Sequence, residues 1–106
     1  MAIIRKNIKS YVIQSNASPT SQSGNADIVC YDEALAIVGN LHFNEDGFGT
    51  GSGGYLNNDL IEVFYHFNSL AGIIDILRKQ WICYLVVDTD SHLGYVTSDI
   101  QTVGGG

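Results

Sequence analysis

Short runs of alternating apolar and polar residues, separated by polar or glycine-rich stretches, predict a domain built mainly from strands. Residues 3–14 set Ile4, Ile8 and Val12 on one side, with Lys6 and Ser10 between them. That spacing fits a strand or a helix; the β-branched and aromatic content favours a strand. Ala26 to Tyr31 predicts a second strand with Ile28 and Cys30 on one face. Asp32 and Glu33 then turn the chain into a third, Ala34 to Phe43. Here Leu35, Ile37, Leu41 and Phe43 share one face, and Ala36, Val38, Asn40 and His42 the other. A fourth, Leu60 to Asn68, turns Ile61, Val63, Tyr65 and Phe67 inward and Glu62, Phe64 and His66 outward.

The one helical pattern starts at Leu70 and ends near Gln80, with Leu70, Ile73, Ile74, Leu77 and Trp81 along one face. Ser69 or Asn68 supplies the N-cap, Asp75 and Lys79 are spaced for an i,i+4 ion pair, and Arg78 and Lys79 suit the dipole at the helix end. Ile82 to Val87 is apolar on both faces, as a central strand should be. The polar turn 88–94 leads to a returning strand, Tyr95 to Gln101, closing a hairpin. The polar segment at about 15–25, which holds the only proline, and the glycine-rich segment at about 44–58 are expected to be mobile loops.

The order β-β-β-β-α-β-β, with mostly short connections, predicts an α+β fold. The expected architecture is a mostly antiparallel, curved sheet of about six strands, or a partly closed barrel, with one helix (about 70–80) on one face. Residues 1–103 form a single domain, and 104–106 are a flexible glycine tail.

Composition narrows the function classes. The net charge is −6, with only five basic side chains against eleven acidic ones, so there is no basic face to grip nucleic-acid phosphates or an anionic membrane. No apolar run approaches the roughly 20 residues of a membrane helix, and the N-terminus lacks signal-peptide order. Cys30 and Cys83, far apart in apolar segments, read as buried thiols of a cytoplasmic protein.

The candidate chemistry is sparse. Gly49 to Gly54 matches Gly-x-Gly-x-x-Gly, but no helix pattern follows to meet a phosphate, and no cofactor is expected. Asp88, Asp90 and His92 cluster as possible cation ligands, although the segment departs from the calcium-loop pattern at Leu93 and Asp99, and Asp and Ser are ordinary turn residues. No nucleophile elbow or catalytic cysteine flank is present. Phe64, Tyr84 and Tyr95 fall opposite the expected core face, and one helix cannot cover a six-stranded sheet. The leading expectation is therefore a non-enzymatic protein-interaction module that hides this surface as a homodimer. The alternative is a small-molecule binder or acid/base enzyme using His42, His66 and Glu62 beside the Gly-rich loop 47–54, the two histidines meeting across antiparallel strands.

Overall fold

A computed structural model describes residues 3–18, 21–44, 53–79 and 82–98. The strands are β1 (Ile3–Ile8), β2 (Ser10–Ser18), β3 (Ser21–Tyr31), β4 (Ile37–Asn44), β5 (Gly53–Asn57), β6 (Leu60–His66), β7 (Cys83–Asp88) and β8 (Leu93–Ser98). One 3₁₀ turn, Phe67–Ser69, leads into the helix α1 (Leu70–Lys79). The α+β class holds. The expected single sheet, however, is two: a three-stranded sheet ordered β1-β7-β8 and a five-stranded one ordered β2-β3-β4-β6-β5, and neither closes into a barrel.

The first expected strand is broken at Lys9, where the chain passes from one sheet to the other. Lys9 donates its backbone N–H to Tyr31 O at 2.8 Å. Ile4 and Ile8 keep their inward side, but the break resets the alternation and leaves Val12 53% exposed. The segment expected as a loop at 15–25 is instead largely the far end of the β2–β3 hairpin, paired from Ser10↔Tyr31 to Ser18↔Ser21. Backbone pairing overrides the low strand preference of its polar residues.

The third expected strand starts late. Ala34 and Leu35 belong to a turn in which the Asp32 carboxylate accepts the N–H groups of Ala34 and Ala36 at 2.8 and 3.0 Å, and Leu35 takes φ 64°. A register shift at Cys30/Tyr31 inserts one extra residue, so Val38 is buried and Ile37 is exposed, the reverse of simple alternation.

Part of the glycine-rich segment is the strand β5. It reaches β6 through a two-residue turn, Asn58-Asp59, whose φ angles of 48° and 69° suit a type I′ hairpin. This extra strand reverses the chain once more than expected, so β6 runs parallel to β4. The rest of the glycine-rich segment, 45–52, lies outside the described residues, as do Gln80, Trp81 and the tail 104–106.

A single buried cluster joins the two sheets: Ile28, Leu41, Phe43, Ile61 and Val63 from one, Leu85, Val87 and Val96 from the other, with Ile73 and Leu77 of α1. Gly39 permits the close approach, since a Cβ there would overlap Ile61 O and Leu85. The helix pattern is realised, with Asp75 and Lys79 paired at 3.0 Å. The cap differs: the 3₁₀ turn precedes α1, and His66 Nδ1 accepts the Asn68 N–H at 3.3 Å. As its two apolar faces predicted, β7 is the central strand of its sheet.

Candidate functional site

The registers of β3, β4, β6 and β5 line up two rows across the face turned away from the core. One row is Asp27, His42, Phe64 and Gly53; the next is Val29, Asn40, Glu62 and Tyr55. His42 sits at the centre. Its Nδ1 lies 2.8 Å from Asp27 Oδ1 and its Nε2 2.8 Å from Glu62 Oε1, while Glu62 Oε2 accepts the Asn40 side-chain amide at 2.8 Å. The ring stacks on Phe64 with centroids 4.8 Å apart.

A carboxylate only accepts, so both imidazole bonds form together when the ring carries two protons. In that state His42 bridges three adjacent strands and offers no lone pair to a substrate. His42 and Glu62 are 22% and 16% exposed, enough shelter for these charge-assisted bonds to matter; Asp27, at 38%, is wetter.

Phe64 continues the arrangement outward. Tyr55 meets it edge-on at 5.9 Å, and Tyr55 in turn lies 4.9 Å from the His92 ring. Beside this aromatic run is a cleft of about 490 Å³. It is lined by Phe64 and Tyr65 of β6, Gly53 of β5, and Ser91 to Gly94 at the end of the β7–β8 turn and the start of β8.

Close backbone contact holds that turn against β5. Gly54 donates its N–H to His92 O at 2.7 Å, and a Cβ on Gly54 would come 2.7 Å from Gly94 Cα. Glycine is required at both positions for the strands to cross so closely. His92 takes φ 60° at the end of the turn. The Asp88 carboxylate accepts the N–H groups of Asp90 and Ser91 at 2.9 and 3.4 Å, and Ser91 Oγ accepts the Leu93 N–H at 3.3 Å. The Asp90 N–H, first among several causes, holds the Asp88 carboxyl below its ordinary pKa.

Tyr65 stacks on Phe43 at 5.3 Å, and its hydroxyl accepts the Val96 N–H at 3.3 Å. Burial pushes the pKa of its phenol upward.

The structure brings together His42, Glu62 and Phe64 among the expected site residues, and sets His92 beside them through Tyr55. His66 does not join His42: β4 and β6 are parallel, His66 pairs with Asn44, and its ring caps the 3₁₀ turn. Among the described residues no group of three or more His, Cys, Asp or Glu is placed to hold a metal ion, so Asp88, Asp90 and His92 are not gathered as a ligand set. Tyr84 and Tyr95 lie on the outer face of the other sheet, away from Phe64, and Arg5 sits 3.6 Å over the Tyr84 ring.

The sequence reading missed Asp27, Tyr55 and Tyr65. Asp27 had a signal: it alternates with Ala26 and Ile28 in a strand adjacent to the one bearing His42. Tyr55 had none, because its strand was read as loop.

No protein family, curated protein or solved structure matches the chain. Among the described residues no helix is long and apolar enough to cross a membrane.

Proposed function

We propose that this is a non-enzymatic binding domain whose cleft between β6 and the β7–β8 turn takes a small, flat, largely apolar ligand. The observation that carries the reading is the cleft itself. Its volume of about 490 Å³ falls in the range of small-molecule sites, and it is walled by Phe64, Tyr65 and Leu93 with Ser91 and His92 as polar groups. Gly53 and Gly94 contribute backbone to its lining.

Binding rather than catalysis is supported by how the titratable side chains are used. Both His42 nitrogens face carboxylates, His66 caps a turn, and Asp88 organises the hairpin. An acid/base role needs a group that can exchange a proton with substrate at hydrogen-bond reach. We assign the domain to the cytoplasm, because Cys30 and Cys83 are both buried thiols outside any disulfide.

Titration of labelled protein with a library of planar aromatic fragments tests the proposal. Amide shifts should centre on Gly53, Ser91, Leu93 and Gly94, and Leu93→Ser should weaken them. Saturable binding that maps elsewhere, or none at millimolar fragment, refutes it.

A further inference from the structure

We infer that the exposed edge of β2 is a self-association site, where a second copy of this chain adds antiparallel to β2 and merges two five-stranded sheets into one.

Among the described residues the two sheets present four edge strands: β1, β8, β2 and β5. An unpaired edge invites strand addition unless it is short, charged or covered. Three of the four are managed. β1 carries Arg5 and Lys6 on successive residues, hence one on each side of the strand. The edge of β5 receives the β7–β8 turn through the bond from Gly54 to His92 O, and it is only five residues long. β8 has its Val96 N–H taken by the Tyr65 hydroxyl.

Among the described residues nothing comparable protects β2. It runs for nine residues, Ser10–Ser18, without a charge or a proline. Its pairing with β3 is regular from Ser10 to Asn16, so the strand is not bulged away over that length. Val12 is 53% exposed on the outer face of the sheet, and Ile13 is 42% exposed on the other. Apolar groups open on both sides of an edge suit a partner strand that continues the sheet.

The occupant that fits is a second copy. Two β2 strands related by a two-fold axis normal to the sheet pair antiparallel with each residue keeping its face, so opposed residues have the same parity. With Val12 on the axis, Val12 meets Val12 and Tyr11 meets Ile13, a self-complementary set of the isologous kind. Charge points the same way. The chain carries −6, so most approaches of two copies are repulsive, whereas residues 10–18 are uncharged.

Light scattering on size-exclusion fractions of the full chain, from micromolar to millimolar, tests the inference. The wild type should pass from monomer to dimer. Val12→Lys sets two ammonium groups across the axis and should raise the dissociation constant about tenfold or more. Tyr95→Lys, on the other sheet, should leave it unchanged. Should Val12→Lys fail to fold, amide exchange of the wild type decides, with β2 amides gaining protection as concentration rises. A wild type monomeric throughout, a dimer abolished by Tyr95→Lys but not by Val12→Lys, or β2 amides indifferent to concentration overturns it.

Discussion

Replacing His42 by Ala should be among the most damaging changes on the outer face of the five-stranded sheet, and its cost can be worked from the contacts. The bond from Nε2 to Glu62 is made between groups 22% and 16% exposed, so a charge-assisted bond there contributes about 1.5 kcal/mol. The bond to Asp27 is discounted, because that carboxylate is 38% exposed and water replaces much of what is lost, leaving about 0.5 kcal/mol. Stacking on Phe64 at 4.8 Å adds about 0.5–1 kcal/mol. Together these give about 2.5–3 kcal/mol, a fall in Tm of roughly 10–20 °C for a domain of this size. His42→Phe separates the parts: it keeps a ring against Phe64, loses both hydrogen bonds and should cost about 2 kcal/mol. His66→Ala is the control, since that exposed ring makes one 3.3 Å bond to Asn68 N and should cost under about 1 kcal/mol. Urea titration followed by far-UV circular dichroism measures all three. If His42→Ala lies within error of wild type, or His66→Ala costs as much, the imidazole is not the clamp across β3, β4 and β6.

Other predictions concern the core, the seam and the turn. Burial, reinforced by the nearby Cys83 thiol, pushes Cys30 up to about 12, so the folded protein should resist thiol reagents at pH 8 while the urea-unfolded chain reacts at once. The folded pKa is the raised one. The contribution is therefore complete below pH 9 and falls by about 1.4 kcal/mol per pH unit above it, a slope that Cys30→Ala should reduce in alkaline melts. Gly94→Ala should destabilise by about 1–3 kcal/mol, because the added Cβ would lie 2.8 Å from Gly54 Cα. Gly72→Ala in the exposed part of α1, with nothing within 4 Å, should instead stabilise by about 0.5–1 kcal/mol in the same denaturation assay. For Asp88 the folded pKa is the lowered one, so its hold on the turn persists above pH 3.8 and is lost as acid takes the pH below that. Protection of the Asp90 and Ser91 amides, taken against their intrinsic exchange at the same pH, should fall there, and steady protection would contradict the assignment.

What was legible in the sequence was whatever the local period encodes. The helix from Leu70 and the doubly apolar β7 were readable because each contains its own evidence, a 3.6-residue stripe or a run with no polar face. Partners and directions were not. A strand misread as loop, Gly53–Asn57, inverted the inferred direction of β6, and with it the idea that His42 and His66 meet. Glycine and asparagine there serve close approach to Gly94 and a turn with positive φ, properties that look like loop when the contact is unseen. Lys9 hid a sheet-to-sheet crossing for a related reason: the apolar spacing continues through it although the face does not. The clamp was half readable, since Glu62 and His42 stood out as titratable groups on outward positions. Their use in joining strands depended on register.

The two-sheet arrangement also changes what self-association has to accomplish. With one sheet and one helix, an entire apolar face would need a partner. Instead, crossing at Lys9 lets β1, β7 and β8 cover the inner face of the larger sheet, so Leu85, Val87 and Val96 share the buried cluster with Ile28, Leu41 and Val63. The outer face is occupied by charged and amide groups bonded to one another around His42. Single apolar side chains such as Leu35 and Leu93 stay open elsewhere, but Val12 and Ile13 lie open on either side of a backbone edge. Association there gains ladder hydrogen bonds and a little apolar area, less than a stable interface of about 1,600 Å² provides. Its strength should accordingly depend on concentration rather than make the dimer obligatory. Being built from uncharged residues, it should also vary little with salt, apart from screening of the overall negative charge.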